Sequence, residues 1–232
     1  YHFYNQTSYL IDRKVLRDGN SFDLNPFEDD DNALGLNLNF RNTLFFNRGK
    51  QQYTTSYTYL ANTARNLVSL GLQTNELRSH QVSFLHKIKA SYLFNLNTAL
   101  GTNSNASENF AQRNYSLETF ELNPKISYLF DDNTRLEAFY SLGTKENSLG
   151  ALEYLNKQDF GVAFSYSNAE KISFNIEAQY IKNEFEGAAF SPVAYQMLEG
   201  LQPGSNFTWN VIAQKRLTKF LDLNLSYFGR KS

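Results

Sequence analysis

The side chains that do most enzyme chemistry are scarce in this chain. It has three histidines in 232 residues and no cysteine. His80 and His86 lie an even number of positions apart, so on a strand they share a face, and Glu76 shares it as well. Imidazole and carboxylate are metal donors. At the rise of a strand the two histidines alone lie roughly 20 Å apart, too far for one ion, and they read as solvated or lumen-facing groups near a turn. Asp29, Asp30, Asp31 and Asn32 offer oxygens of the kind calcium takes. They lack the spaced D-x-D-x-D-G pattern of an EF-hand, and a solvated acidic loop accounts for them. Gly101-Thr102-Asn103 and Gly143-Thr144-Lys145 lack the spacing of a phosphate loop. No histidine is flanked by the partners of a hydrolytic triad. The expectation is a protein with no catalytic residue, no cofactor and no metal.

A second set of charged residues has a consistent placement. Glu121, Lys125, Glu137, Glu177 and Asp222 each stand between apolar residues in runs that alternate at period two, and Arg41 and Arg135 fall in the polar phase of such runs. The clearest run is Phe120 to Phe130, with Phe120, Leu122, Pro124, Ile126, Tyr128 and Phe130 on one face and Glu121, Asn123, Lys125 and Ser127 on the other. A polar turn, Asp131 to Thr134, follows, and then Leu136, Ala138, Tyr140 and Leu142 restore the apolar face. Two such runs about a four-residue turn make an antiparallel hairpin.

The pattern recurs along the chain. Strands are expected at His2–Ile11, Leu34–Phe46, from Tyr53, at His80–His86, Ala90–Leu100, Phe160–Tyr166, Ile172–Tyr180, Phe207–Ala213 and Leu221–Tyr227, in addition to the central hairpin. Short turns recur at roughly 42-residue intervals and alternate with longer connections, predicted at residues 12–32, 61–78, 101–109, 144–156 and 182–205, with Leu67–Leu72 alternatively extending a strand. Within the last, Val193–Leu201 reads as a helical turn stopped by Gly200 and Pro203-Gly204. About eleven strands result, in up-and-down order. The interval matches a propeller blade, but a blade holds four short strands, and here each interval holds two long ones.

Net charge is −1, which gives nucleic acid no footprint. Mean hydropathy is −0.50, and no apolar run is long enough for a spanning helix. A transmembrane barrel has the same low hydropathy, because alternate residues face a polar interior. Strands of about 10 residues suit a tilted crossing of a bilayer, and aromatic residues make up 16% of the chain. The predicted fold is therefore all-β, an up-and-down antiparallel transmembrane β-barrel, with a soluble β-sandwich binding module as the alternative. The seven charged residues above are then lumen-facing candidates. Tyr57, Tyr59, Tyr128, Tyr166, Trp209 and Tyr227 are candidates for interfacial aromatic girdles. Short turns are expected in the periplasm and long loops outside.

Ser191-Pro-Val-Ala-Tyr-Gln-Met-Leu-Glu-Gly-Leu-Gln-Pro-Gly204, Asn206-Phe-Thr-Trp209 and Leu221 to Ser232 resemble the C-terminal barrel region of large Bacteroidota outer-membrane proteins, TonB-dependent-transporter-like or secretion-associated. The resemblance covers about 40 residues at most, with the rest similar only as a hairpin repeat. It implies the outer membrane, a further terminal strand beyond Ser232, and residues 1–232 as the C-terminal part of a longer barrel. It also implies a role in transport or secretion, with outer-membrane lipid, a solute or polypeptide, and other envelope proteins as partners. A non-conducting structural subunit of an envelope complex is the alternative role.

Overall fold

The computed structural model describes residues 1–13, 33–49, 52–69, 71–150, 152–168, 172–218 and 220–232. The chain runs β1 (His2–Arg13), β2 (Ala33–Phe46), β3 (Tyr53–Val68), β4 (Gly71–Lys89), β5 (Tyr92–Ser107), β6 (Tyr115–Leu129), β7 (Thr134–Asn147), β8 (Tyr154–Asn168), β9 (Ile172–Glu186), β10 (Gly204–Thr218) and β11 (Leu221–Lys231). One helix, α1 (Pro192–Leu198), lies between β9 and β10. Each strand pairs antiparallel with its sequence neighbour, in the order β1 to β11. This is the predicted up-and-down sheet. It does not close on itself within the described residues: β1 and β11 form its two edges. Both are odd-numbered in an alternating sheet, so they run in the same direction.

The register keeps one apolar face across the sheet. Phe94, Ile126, Ala138, Val162, Ala178 and Trp209 lie opposite one another on successive strands. Every buried strand residue is on the other, polar face: Thr43, Thr58, Ser79, Asn105, Leu117, Ser127, Asn147, Leu155, Asp159, Gly161, Ile181, Asn183 and Asn206. The apolar face is splayed and open, with Phe160 at 55% and Ile176 at 43% exposure. Crowding on one face and splay on the other are what a curved sheet produces, so the polar face is concave. The arrangement inverts the usual rule that apolar side chains go inside.

Strand ends differ from the sequence expectation. The predicted connection at residues 61–78 is strand almost throughout, with β3 running to Val68 and β4 starting at Gly71. β4 also continues through Lys87–Lys89, where a turn was expected. The predicted loops at 101–109, 144–156 and 182–205 shrink to 108–114, 148–153 and 187–203. Backbone pairing continues past the point where apolar alternation stops. On β9 the outward residues Ile172, Phe174, Ile176, Ala178 and Tyr180 give way to Lys182, Glu184 and Glu186. A ladder needs only its backbone partners, so hydrophobic periodicity marks the apolar band and underestimates the strand.

Local details fit the same wall. In the β6–β7 turn Asp131 Oδ1 accepts from the Asn133 amide at 2.8 Å, an Asx turn that fixes the hairpin. This bond holds the Asp131 carboxyl below the usual carboxylate range. Pro124 interrupts the ladder to β7, whose register passes from Leu122↔Leu142 to Lys125↔Phe139, because proline has no amide to donate. At the gap Ser141 Oγ donates to Asn123 Oδ1. Phe139 covers Gly161 on the next strand, and Trp209 likewise covers Gly229. A Cβ at either glycine would occupy the ring's place.

Candidate functional site

The seven charged residues singled out by alternation all fall on the concave face, the face that also carries the buried polar residues. They do not form one cluster. Near the turn end of β6 and β7, Glu137 gathers Lys125 at 3.4 Å, Arg135 at 3.7 Å and the Ser127 hydroxyl at 2.8 Å. Asp222 on β11 pairs with Arg216 on β10 at 3.4 Å. Glu177 accepts from the Gln179 amide on its own strand. Arg41 and Glu121 line a trough of about 650 Å³ along β1–β6, with Gln6, Thr43, Thr58 and Asn97. Amides and hydroxyls dominate that lining, beside two arginines, Arg41 and Arg48, and the one carboxylate of Glu121.

The histidines are on the opposite face. His80 and His86 lie on the apolar side of β4, not on the concave face, with His80 exposed and His86 half-buried. His80 Nδ1 is 2.7 Å from the Tyr57 hydroxyl, and its ring packs against Tyr59 with centroids 4.9 Å apart. Glu76 pairs with Arg78 at 3.3 Å. Among the described residues no three histidine, aspartate or glutamate side chains converge on a metal position. The acidic run Asp29–Asn32 lies outside the described residues.

Tyr57, Tyr59, Tyr128, Tyr166, Trp209 and Tyr227 are all on the apolar face. Tyr128 packs on Tyr92 and Phe130, and Tyr166 on Phe174, all near the turn edge. Tyr59 and Trp209 stand toward the loop edge, while Tyr57 and Tyr227 sit further into the band.

The most elaborated region was only partly visible in the sequence. The β9–β10 connection folds back over the concave face and places α1 there. Ser191 caps the helix, its Oγ accepting from the Ala194 amide at 2.9 Å, and Pro192 follows at the first helical position. Val193, Ala194, Met197 and Leu198 are buried against Leu117 and Leu155, with Tyr115 and Phe185 packed beside them. This is the main apolar cluster of the described residues. It occupies the polar face, at the loop end.

Two polar systems hold this plug. Glu199, in the left-handed conformation at the helix C-terminus, receives Lys145 Nζ at 2.6 Å and Lys157 Nζ at 2.9 Å. Lys145 also donates to the Met197 carbonyl at 3.1 Å. Partial burial raises the Glu199 carboxyl, but the two ammonium groups together outweigh it and hold the group below its ordinary range. Glu153, 3% exposed, accepts from Asn147 Nδ2 at 2.7 Å and from the Ser191 hydroxyl at 3.3 Å. It ties the β7–β8 loop to the helix.

Buried asparagines complete the loop end. Asn105 donates to the Arg113 carbonyl, Asn147 to the Leu149 carbonyl, and Asn183 and Asn206 to the Gln202 carbonyl. Each replaces water on a loop carbonyl that would otherwise be buried unpaired. Asp159 Oδ1 and Asn183 Oδ1, on either side of Lys157 in the β8–β9 wall, are buried without a hydrogen-bond partner. The signal for this cap was present in sequence as inward-phase asparagines at strand ends. It could not be separated from the many other asparagines in the chain.

No protein-family model matches the chain, and no curated protein matches it. A solved structure titled "KdgM porin" aligns over 99% of this chain and 91% of its own length, at 9% identity and a TM-score of 0.35.

Proposed function

We propose that this chain is the wall of an outer-membrane β-barrel that provides a transport or secretion pathway and carries out no chemistry of its own. The observation that supports this most is the inverted amphipathicity of the sheet: an open apolar convex face and a crowded polar concave face. Water would penalise such a sheet, and lipid would favour it. The dimensions agree. From Phe120 to Phe130 the outward apolar band spans ten residue steps, about 33 Å along the strand and about 25 Å in height at a 40° tilt, which is the height of the apolar band of such barrels. Beyond it the strands continue with outward Glu76, Arg78, Glu118, Glu146, Lys182 and Glu184, as they would in water. The short turns then face the periplasm, and the plugged loop end faces outside.

One observation favours the alternative of a non-conducting structural barrel. The α1 cluster fills part of the concave face at the loop end. Planar bilayers distinguish the two roles. A pathway gives conductance steps that grow when residues 187–203 are shortened. A silent bilayer with both forms, each shown folded by heat-modifiable gel mobility, would reject the pathway and leave the structural role.

A further inference from the structure

Lys145 and Lys157 sit on neighbouring strands of the concave face, with side chains only 16% and 22% exposed. Both converge on the single carboxylate of Glu199, which arrives on a helix belonging to a loop and not on the wall. We propose that the two lysines form a carboxylate-binding site of the wall, and that Glu199 occupies it as a tethered internal ligand which a small carboxylate solute displaces, releasing α1.

Three features of the site support this. The lysines are fixed to paired strands, β7 and β8, with Lys145 opposite Leu155 and Lys157 opposite Gly143, so their spacing does not depend on the helix. A cavity of about 280 Å³ lies directly beside the clasp, lined by Glu121, Asn123, Ser141, Lys145, Lys157 and Glu199. Gly143 forms part of its floor, with no atom nearer than 3.6 Å to the place its Cβ would take. A small solute therefore has room next to the ammonium groups before Glu199 leaves. Charge gives the direction. With Glu199 seated, the two lysines of the lining balance Glu121 and Glu199. With it withdrawn, the lining carries one net positive charge and favours an anion.

Displacement also has a defined consequence. Besides the Glu199 clasp, α1 is held by its apolar face, by the Lys145 bond to the Met197 carbonyl and by Glu153 on Ser191. A competitor that takes both ammonium groups removes the charged clasp and the Lys145 bond together. Equilibrium between seated and released helix then shifts by the competitor's preference for the released form.

The test uses the absence of native cysteine. Met197 is fully buried under the plug, so Met197→Cys reports release by its rate of reaction with a polar maleimide in detergent micelles. Succinate is the probe, its neutral diamide the control, and Ala194→Cys a second reporter in case the first disturbs packing. Succinate is expected to speed labelling about tenfold, the scale set by two part-buried ion pairs, and the diamide to leave it unchanged. Glu199→Gln should label fast without succinate, and Lys145→Gln with Lys157→Gln should lose the response to succinate. Labelling indifferent to succinate, with Glu199→Gln still fast, would overturn the site while leaving the clasp. A slow Glu199→Gln variant would overturn both. The inference builds on the lumen reading for its meaning, but labelling in micelles does not require conduction, so a silent bilayer and an indifferent maleimide are separate failures.

Discussion

Ile176→Arg against Asn175→Arg is the perturbation that separates a lipid-facing wall from a water-facing one. The two positions are adjacent on β9, and their side chains go to opposite faces. Ile176 lies between Phe164 and Val211 on the convex side, and Asn175 between Ser165 and Ile212 on the concave side. Ile176 is the middle of the five outward apolar residues from Ile172 to Tyr180. Four residue steps to either end make about 13 Å along the strand, or about 10 Å in height at a 40° tilt, which puts it near the midplane of the apolar band. Arginine there is expected to cost about 2–4 kcal/mol, a thirtyfold to several-hundredfold shift in the folding equilibrium. At Asn175 the side chain enters a polar concavity, and the cost should stay within about 0.5 kcal/mol. In water the order would reverse, since a 43% exposed isoleucine loses little on becoming arginine. Urea titrations of protein refolded into lipid vesicles, followed by the fluorescence of Trp209, the one tryptophan, measure both. Equal costs at the two positions, or a larger cost at Asn175, would refute the facing of the sheet.

Further expectations concern packing and the plug. Asn147→Ala removes bonds to the Ser116 amide, the Leu149 carbonyl and Glu153. It should destabilise by about 1–3 kcal/mol, read in the same titration, and Asn95→Ala on the open stretch of the wall serves as the mild comparison. Gly161→Ala puts a methyl where the Phe139 ring lies and should cost about 1–3 kcal/mol, a cost that Phe139→Leu in the same chain should reduce. Met197→Ala removes a fully buried side chain worth about 2–5 kcal/mol. The loss should appear as protease cleavage between residues 187 and 203 with the strands still protected. Since Glu199 has a depressed pKa, its contribution to seating α1 is complete above the ordinary glutamate range and is lost as pH falls through the lower folded value. Cleavage of that loop should therefore rise below about pH 4, and Glu199→Gln should remove that dependence.

What could be read in sequence follows from which forces leave a periodic trace. Alternation places Ile126 and Lys125, or Ile176 and Glu177, on opposite faces, because the apolar band demands it at every second residue. The strand count and order follow from the same signal. That signal stops at Tyr180 on β9, yet pairing continues to Glu186, because the ladder beyond the band is held by backbone bonds that any polar side chain permits. The connection expected at residues 61–78 became two strand ends for the same reason. The lumen alternative for the histidines failed because His80 and His86 are in apolar phase, where His80 meets Tyr57 across the strand pair. Val193–Leu201 showed helix signals, but its docking on Leu117 and Leu155 pairs residues about 40 to 80 positions apart. Leu117 and Leu155 themselves are apolar residues in polar phase, and only the folded loop explains them.

The central claim is that the apolar convex face meets lipid, and Trp209 tests it without any substitution. Its ring is on that face, opposite Ala178 and over Gly229. In vesicles of brominated lipid its emission should fall well below that in ordinary lipid, while iodide in the buffer leaves it unchanged. Emission indifferent to brominated lipid and quenched by iodide would place the face in water and contradict the account.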